Sequence, residues 1–382
     1  MQQQKSPPQG FIGNTPSRLS TILRRLGSLK LALVILVALG AGVLVSYLSE
    51  IRTTWSLVVS LALLSVNLSA AVATNPAFRR QKALLIFHLA LIAIILLIMA
   101  GRLTYLRGTL ELANGIMFEG ELTSSEAGPL HRWRLKDVKF VQGDFEIDYD
   151  KGTPNQGFGT DDDSNDALTP TANNGEQLAA SAPLVSDARG ARRGATRNTL
   201  HWLDDDGTWH TEVIGDGHFL ELKGYQFFTS SNKGFAPLFS WTPVGGEPVI
   251  GAIYLPSYPV NEYTQHLEWT PPGSKLKLWT QLQFNEVIID PYQLSQFRLP
   301  EKHNIVIRTD EKRYEMYPGD SVKLSGGELT YQRLTSWMGY SVTYDWTIIW
   351  LLAASIIAML SLTWHFWQKF AARPWQASEE KV

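Results

Sequence analysis

Four long apolar blocks without charged side chains interrupt a chain that otherwise mixes polar and apolar positions. They cover residues 31–49, 53–78, 83–101 and 346–368. A helix that crosses a bilayer needs about 20 apolar residues. Each block is therefore predicted to form one transmembrane helix, four in all, and residues 102–345 are predicted to form a domain outside the bilayer.

The first block could also be a signal peptide, because a basic region precedes it. It is longer than the usual apolar core of such a peptide, no convincing A-x-A cleavage site follows, and a second apolar block comes almost at once. We therefore interpret it as a membrane span.

Lysine and arginine set the predicted orientation of the spans. They gather in the tail before the first span (1–30), in the connection between the second and third (79–82), and in the tail after the fourth (369–382). With four crossings these three segments share one side, and basic segments face the cytoplasm. Both termini are therefore predicted to be cytoplasmic, and residues 102–345 extracytoplasmic.

Within the basic tail before the first span, apolar residues recur at helical spacing among arginines. The apolar residues are Leu19, Ile22, Leu23 and Leu26, and the arginines are Arg18, Arg24 and Arg25. This pattern predicts a short interfacial helix on the inner face of the membrane. A plain basic flank is the alternative.

From residue 106 onwards the apolar pattern changes to a period of two. Phe145, Ile147 and Tyr149 alternate with acidic residues, and residues 275–284 alternate in the same way. Further strand-like runs cover residues 209–214, 218–222, 250–255, 304–308, 329–334 and 341–344. Many short strands separated by turn residues are typical of a β-sandwich or open barrel. The predicted fold class is an integral membrane protein with four transmembrane helices and a large, all-β-rich extracytoplasmic domain.

Residues 151–197 differ from the strand-like sequence on either side. The segment is polar, poor in aromatic residues, and rich in Gly, Asp, Asn, Thr and Pro. Such a composition buries too little apolar surface to offset its chain entropy, so we predict a disordered insert. Its acidic run at 161–163 lacks the Gly and Glu offsets of an EF-hand, which favours a solvated loop over a calcium site.

Composition excludes several classes of function. The chain has 382 residues and a formal net charge of -2, so no strong field favours nucleic acid. It contains no cysteine. Disulfides, zinc–thiolate sites, iron–sulfur clusters and covalently attached c-type haem are therefore excluded for this chain.

No catalytic or metal motif is present in the sequence. HExxH, GxSxG, a Walker loop and a dinucleotide fingerprint are all missing. His201 and His210 flank three aspartates at 204–206, which could suggest a metal, but a polar hairpin turn is the favoured interpretation. The other histidines of the β-rich segment are predicted to be surface or edge residues: His131, His218, His266 and His303.

His88 is the only strongly titratable side chain within the first three predicted spans. It lies roughly 8 Å inside the predicted cytoplasmic edge at the rise of an α-helix. An ionisable group at that depth is costly and usually faces a partner or a ligand, and neutral imidazole suits haem iron. His365 lies at a similar predicted depth in the fourth span, so the two could form a bis-imidazole site. The alternative for His88 is an interhelical hydrogen bond, to Asn67 or to a backbone carbonyl.

The chain resembles the ResB family of System II cytochrome c biogenesis proteins over most of its length. The resemblance is carried by LGSLKLALVILVALGAG (26–42), IFHLALIAIILLIMAGRLTYLRGTLEL (86–112) and GYQFFTSSNKGFAPLFSW (224–241), and by the late fourth span. The spacing of three early spans, a large domain and one late span is its most specific part. The insert at 151–197 departs from the compact family pattern.

The resemblance implies a role in haem transport across the bacterial inner membrane. Family members work with a ResC/CcsA-type membrane protein and present haem b for attachment to apocytochrome c outside. His88 falls where a haem-binding histidine of the family belongs, whereas His365 has no family counterpart. Because this chain lacks a Trp-rich haem-handling loop, the resemblance implies an accessory subunit of a haem lyase. The alternative is a non-enzymatic, membrane-anchored scaffold or chaperone whose outer domain binds an exported protein.

Overall fold

The computed structural model describes residues 18–48, 54–132, 134–151, 192–310 and 312–371. The chain divides into two compact units. The helical unit comprises Met1–Leu106, Ala127–Arg132 and Asp345–Val382, and the β unit comprises Arg107–Glu126 and Trp133–Tyr344.

The described part of the helical unit contains six α-helices. They are α1 (Arg18–Leu26), α2 (Leu29–Leu48), α3 (Thr54–Thr74), α4 (Pro76–Arg80), α5 (Lys82–Thr104) and α6 (Thr347–Ala371). Three are long and apolar enough to cross a membrane: Trp55–Thr74, Lys82–Thr104 and Thr347–Ala371. These helices indicate a membrane-associated protein. The predicted first span falls on α2, whose apolar stretch Leu29–Val45 is shorter.

The predicted second span is divided into two helices. Asn75 ends the long helix, and its side-chain oxygen accepts a hydrogen bond of 3.0 Å from the Ala77 N–H, which caps α4. Pro76 follows at the first helical position, where the missing N–H costs nothing. The chain therefore turns away after Thr74, and Phe78 belongs to α4 instead of a membrane-length helix.

The joint between α1 and α2 is fixed against α3. A Cβ added to Gly27 would lie 2.7 Å from the Ala71 nitrogen, so the backbones approach too closely for any other residue. The buried amide of Asn67 donates to the carbonyl of Leu26 and, at 3.2 Å, to that of Ser28. These bonds satisfy carbonyls left open where α1 ends.

Helices α5 and α6 pack along stripes of small residues. Gly101 is the point of closest approach, since a Cβ there would lie 2.8 Å from Thr347 Oγ1. The buried residues of the two stripes are Ala83, Ala90 and Gly101 on α5, and Thr347, Ala354, Ala358 and Ser361 on α6. Small side chains at such a contact let two helices approach closely within a bilayer.

The described residues form sixteen strands. They are β1 (Leu106–Ala113), β2 (Met117–Phe118), β3 (Ser124–Ala127), β4 (Phe140–Asp150), β5 (Arg192–Leu203), β6 (Trp209–Ile214), β7 (Leu220–Leu222), β8 (Tyr225–Pro243), β9 (Val249–Ala252), β10 (His266–Trp269), β11 (Leu278–Phe284), β12 (Ser295–Gln296), β13 (His303–Arg308), β14 (Arg313–Met316), β15 (Ser321–Leu324) and β16 (Gly327–Tyr344). The predicted runs fall on β4, β6, β7, β9, β11, β13 and β16 among them. The predicted β-rich character is confirmed.

The described strands form three sheets. The seven-stranded sheet has the order β3-β1-β16-β8-β7, with β15 on β16 and β9 on β8. A four-stranded sheet runs β10-β11-β13-β14, and a five-stranded sheet runs β12-β4-β5-β6 with β2 on β4. In β11, Leu278, Thr280 and Leu282 are buried and their neighbours are not, as the alternation predicts.

Two long antiparallel strands, β8 and β16, form the interior of the largest sheet. Their pairing contains register shifts at Tyr331/Arg333 and Met338/Tyr340. Residues 233–239 of β8 are all buried, so this part of the strand is covered on both faces. Gly234 lies in this covered part of the strand. A Cβ at this position would lie 2.7 Å from Trp337 Nε1, so there is no room for a larger residue.

A buried hydrogen-bonded triad connects the seven-stranded sheet to the five-stranded sheet. Tyr340 of β16 donates its hydroxyl proton to the side-chain oxygen of Gln142 on β4. Asn198 of β5 donates to the Tyr340 oxygen at 2.7 Å and accepts from the Gln142 amide at 2.6 Å. Burial raises the pKa of Tyr340 well above its ordinary value, so the hydroxyl stays protonated.

Most of the predicted disordered insert, residues 152–191, lies outside the described residues. The acidic run at 161–163 falls there as well. Strand β5 begins at Arg192, so the last six residues of the predicted insert, 192–197, are strand instead. Its first pairs with β4 join Arg192 to Asp150 and Arg193 to Tyr149, which places the insert at a hairpin end.

Candidate functional site

His88 lies on α5, about two turns after the helix begins, and is half-buried. Its Nδ1 atom is 2.8 Å from the carbonyl oxygen of Leu84, one turn earlier in the same helix. Asn67, the interhelical partner considered for this histidine, instead bonds to Leu26 and Ser28. The partner of His88 is therefore a backbone carbonyl, but one of its own helix and not of a neighbouring helix.

The bond to Leu84 fixes which nitrogen of His88 carries the proton. A carbonyl oxygen only accepts hydrogen bonds, so Nδ1 must be the donor. The neutral imidazole then carries its lone pair on Nε2. A histidine that binds a metal through one nitrogen commonly donates the other N–H to a backbone carbonyl in this manner.

Aromatic rings lie beside the imidazole of His88. The Phe78 ring of α4 is 4.5 Å away between ring centroids and tilted by 59°. The ring of Phe87, the preceding residue, is 5.3 Å away in an edge-on arrangement. The sequence interpretation missed Phe78 because it placed this residue at the end of a continuous span. The Asn75–Pro76 cap signal could have revealed the break.

His365 lies on the stripe of α6 that faces α5, eighteen residues after Thr347. Its ring is half-buried and packs edge-on against Phe366, with centroids 5.7 Å apart. From its sequence position it continues the stripe formed by Ala354, Ala358 and Ser361, since eighteen residues complete about five helical turns.

His88 contacts the rings of Phe78 and Phe87, and His365 contacts the ring of Phe366. At 3.6 residues per turn, His88 is turned about 140° away from Gly101, which faces α6. Measured from the contact between Gly101 and Thr347, His88 is about 20 Å along α5 and His365 about 27 Å along α6. Of these two histidines, His88 has its Nδ1 bonded to a backbone carbonyl, and their pairing as a bis-imidazole site stays a prediction.

The aspartate-rich segment after β5 is a hairpin turn, as predicted. The Asp204 N–H bonds to the Thr208 carbonyl at 2.9 Å, and Gly207 adopts a positive φ of 83°. His201 pairs with Thr211 across the strands, whereas His210 pairs with Trp202 and stacks on its ring. Neighbouring pairs point to opposite faces of a sheet, so the two histidines face apart.

Two histidines predicted to be surface or edge residues are more buried than expected. His131 is 8% exposed, and its Nδ1 donates to the Thr104 carbonyl at the end of α5. His303 is 2.8 Å from the hydroxyl of the buried Tyr331. Burial lowers the pKa of His303, and the Pro300 carbonyl and Glu286 oppose that shift more weakly.

One open cleft in the described part of the β unit has a volume of about 860 Å³ and a mixed polar and apolar lining. Gln283, Asn285, Lys302 and Asn304 contribute to its wall. Glu286 lies in the same wall, but its carboxylate already accepts from Arg298 and from the Lys302 N–H. These bonds lower the pKa of Glu286, which suits a structural ion pair better than acid–base catalysis.

Within the described residues, no group of three or more His, Asp or Glu side chains could hold a metal ion. The candidate site is therefore a single imidazole on an apolar helix. The chain matches no protein-family model and no curated protein.

Proposed function

We propose that the chain is a haem-handling subunit of a System II cytochrome c maturation complex. In this proposal haem b is cargo, held briefly by His88 and passed on with a ResC/CcsA-type partner for attachment to apocytochrome c. In this proposal the chain acts as an accessory subunit, because its sequence has no Trp-rich haem-handling loop of the kind that the partner carries.

The orientation of His88 is the observation that carries the proposal. Its Nδ1 proton is committed to Leu84, and this leaves the Nε2 lone pair as the only ligand atom of the neutral ring. Haem iron takes such an imidazole nitrogen as an axial ligand. The residues therefore fit haem, because an imidazole nitrogen with an uncommitted lone pair lies on an apolar helix beside the ring of Phe78.

The proposed membrane topology extends the three membrane-length helices to four crossings, with α2 as the first. Both termini are then cytoplasmic, and the β unit lies in the periplasm of a bacterial inner membrane. The exposed Arg24, Arg25, Arg80 and Lys82 support this orientation, since basic residues are retained on the cytoplasmic side. In this arrangement α1 is the proposed interfacial helix, and His88 lies near the cytoplasmic entry side.

The proposal is tested by complementation of a strain that lacks this gene. His88→Ala is expected to abolish the accumulation of haem-stained cytochrome c at an unchanged level of the membrane protein. The matched control is Leu89→Ala, which truncates an exposed apolar side chain on the same helix. Normal maturation with His88→Ala would remove this histidine from the mechanism.

The second candidate function is a scaffold whose β unit binds an exported protein. It is favoured by the very exposed apolar and aromatic side chains of that unit, among them Tyr263, Tyr292 and Leu294. This function predicts that Tyr292→Ser with Leu294→Ser abolishes maturation while the membrane fraction keeps its haem. Unchanged cytochrome c maturation in this double variant would count against these side chains as the docking surface.

A further inference from the structure

The short helix α4 folds back along the start of α5, where His88 lies. The Gln81 N–H bonds to the Ala77 carbonyl at 3.2 Å, and the Gln81 carbonyl accepts from the Leu85 N–H at 3.0 Å. The chain thus reverses at Gln81 and passes directly from one helix to the next. The contact between Phe78 and His88, 4.5 Å between ring centroids, places α4 beside the imidazole.

Two cations flank this reversal. Arg80 ends α4 and Lys82 begins α5, and both side chains are exposed. Within the described part of the helical unit the only carboxylate is that of Asp345, which accepts from the N–H and hydroxyl of Thr347. Thr347 faces Gly101, about 28 Å along α5 from Lys82. Among the described residues of the helical unit, neither cation therefore has an acidic neighbour.

The spacing between these cations and His88 indicates the kind of ligand that the site would bind. Lys82 precedes His88 by six residues, about 9 Å along the helix and about 120° around it, so its charge meets the His88 site only through the length of its exposed side chain. A haem-type metalloporphyrin carries its metal at the centre and two carboxylates on one edge. An imidazole that holds the centre and two cations displaced toward the helix end would meet both parts of such a molecule.

We infer that Arg80 and Lys82 form the anion-binding edge of the His88 site and recognise the carboxylate edge of a metalloporphyrin. The inference rests on the proposed function and adds substrate selectivity to it. The site distinguishes a porphyrin dicarboxylate from the same porphyrin with both acids esterified. Anionic lipid headgroups offer a related chemistry, so the test must separate the two sources of negative charge.

The test is a titration of the purified full-length chain in neutral detergent, followed by the Soret band. Wild type is expected to bind haem about tenfold more tightly than haem dimethyl ester, in line with one partly exposed ion pair per cation. Arg80→Gln with Lys82→Gln should bind both compounds with the affinity that wild type has for the ester. Arg80→Lys with Lys82→Arg should keep most of the preference for the diacid.

The matched control removes two exposed cations from another helix of the same unit. Arg24→Gln with Arg25→Gln on α1 should leave the preference for the diacid unchanged. Equal wild-type affinity for diacid and diester, or the same loss in this control, overturns the inference. The inference is also overturned if the Arg80/Lys82 substitutions weaken association with phosphatidylglycerol vesicles but leave the preference for the diacid unchanged. Arg80 and Lys82 then bind lipid headgroups.

The outcome for His88 separates this inference from the proposed function. If His88→Ala loses haem and the Arg80→Gln/Lys82→Gln variant keeps the wild-type preference for the diacid, the proposed function stands and the anion-binding edge is wrong. If His88→Ala binds haem as wild type does, the proposed function itself fails, and the inferred edge of the site fails with it.

Discussion

The Nδ1 atom of His88 and the carbonyl oxygen of Leu84 are joined by a hydrogen bond of 2.8 Å within a single helix. The bond gives an ionisable side chain on a membrane-length helix a partner one turn away, so it needs no second helix. It also leaves one nitrogen of the ring uncommitted.

The first prediction concerns the tautomer of His88. In the full-length protein labelled with ¹⁵N-histidine, the His88 signals should show the proton on Nδ1, because Leu84 accepts from that atom. The signals are assigned by their loss in His88→Gln. A spectrum in which the Nε2–H form dominates at neutral or alkaline pH would contradict the orientation on which the site depends.

Gly27→Ala should destabilise the helical unit. An added Cβ would lie 2.7 Å from the Ala71 nitrogen and must push α3 away from the α1–α2 joint, at a cost of about 1–3 kcal/mol. Thermal unfolding in detergent measures the effect. Gly40→Ala is the control, because a Cβ there meets nothing within 4 Å. Equal stability of the two variants would mean that the joint is not closely packed.

Tyr340→Phe should destabilise the β unit by about 1–3 kcal/mol, the usual cost of buried polar groups left without a partner. The substitution removes the hydroxyl that bonds to Gln142 and Asn198 between two sheets. Tryptophan fluorescence during denaturation follows the change. Tyr292→Phe, at a side chain 85% exposed, is the neutral reference. If Tyr340→Phe leaves the stability of the β unit unchanged, water replaces the hydroxyl in the variant.

His303 should make the stability of the β unit depend on pH. Burial lowers its pKa in the folded state, so the unfolded state binds the proton more readily. Stability is then complete above the unfolded pKa, about 6.5, and is lost as pH falls below it toward the folded pKa. Unfolding measured between about pH 7.5 and about pH 5 should show a smaller decline for His303→Gln than for wild type. The exposed His218→Gln serves as the control, and identical profiles for His303→Gln and wild type would refute the assignment.

The sequence predicted the helices and the strand-rich segment because both depend on local periodicity. The run at 209–214 is strand β6 at the predicted positions, and the alternation at Phe145, Ile147 and Tyr149 matches their burial. Runs 329–334 and 341–344 proved to be parts of one long strand, β16. All but one of the residues between them are buried, so this stretch lacks the period-two signal.

Long-range partners could not be predicted from the sequence. Nothing local links Asn67 to Leu26, or Asn198 to Tyr340, because these bonds depend on how separate elements pack. The place of His88 within a long apolar helix was accessible from its apolar block. Its contact with Phe78 was not, since it depends on the break that Asn75 and Pro76 introduce.

The haem spectrum of the purified chain, alone and with its ResC/CcsA-type partner, tests the central claim most directly. Wild type should show a Soret band and α/β bands of imidazole-ligated haem, and His88→Ala should lose them and regain them when free imidazole is added. His365→Ala, on helix α6, should keep the wild-type spectrum. An unchanged spectrum and haem content in His88→Ala would contradict the assignment of this histidine as the haem ligand.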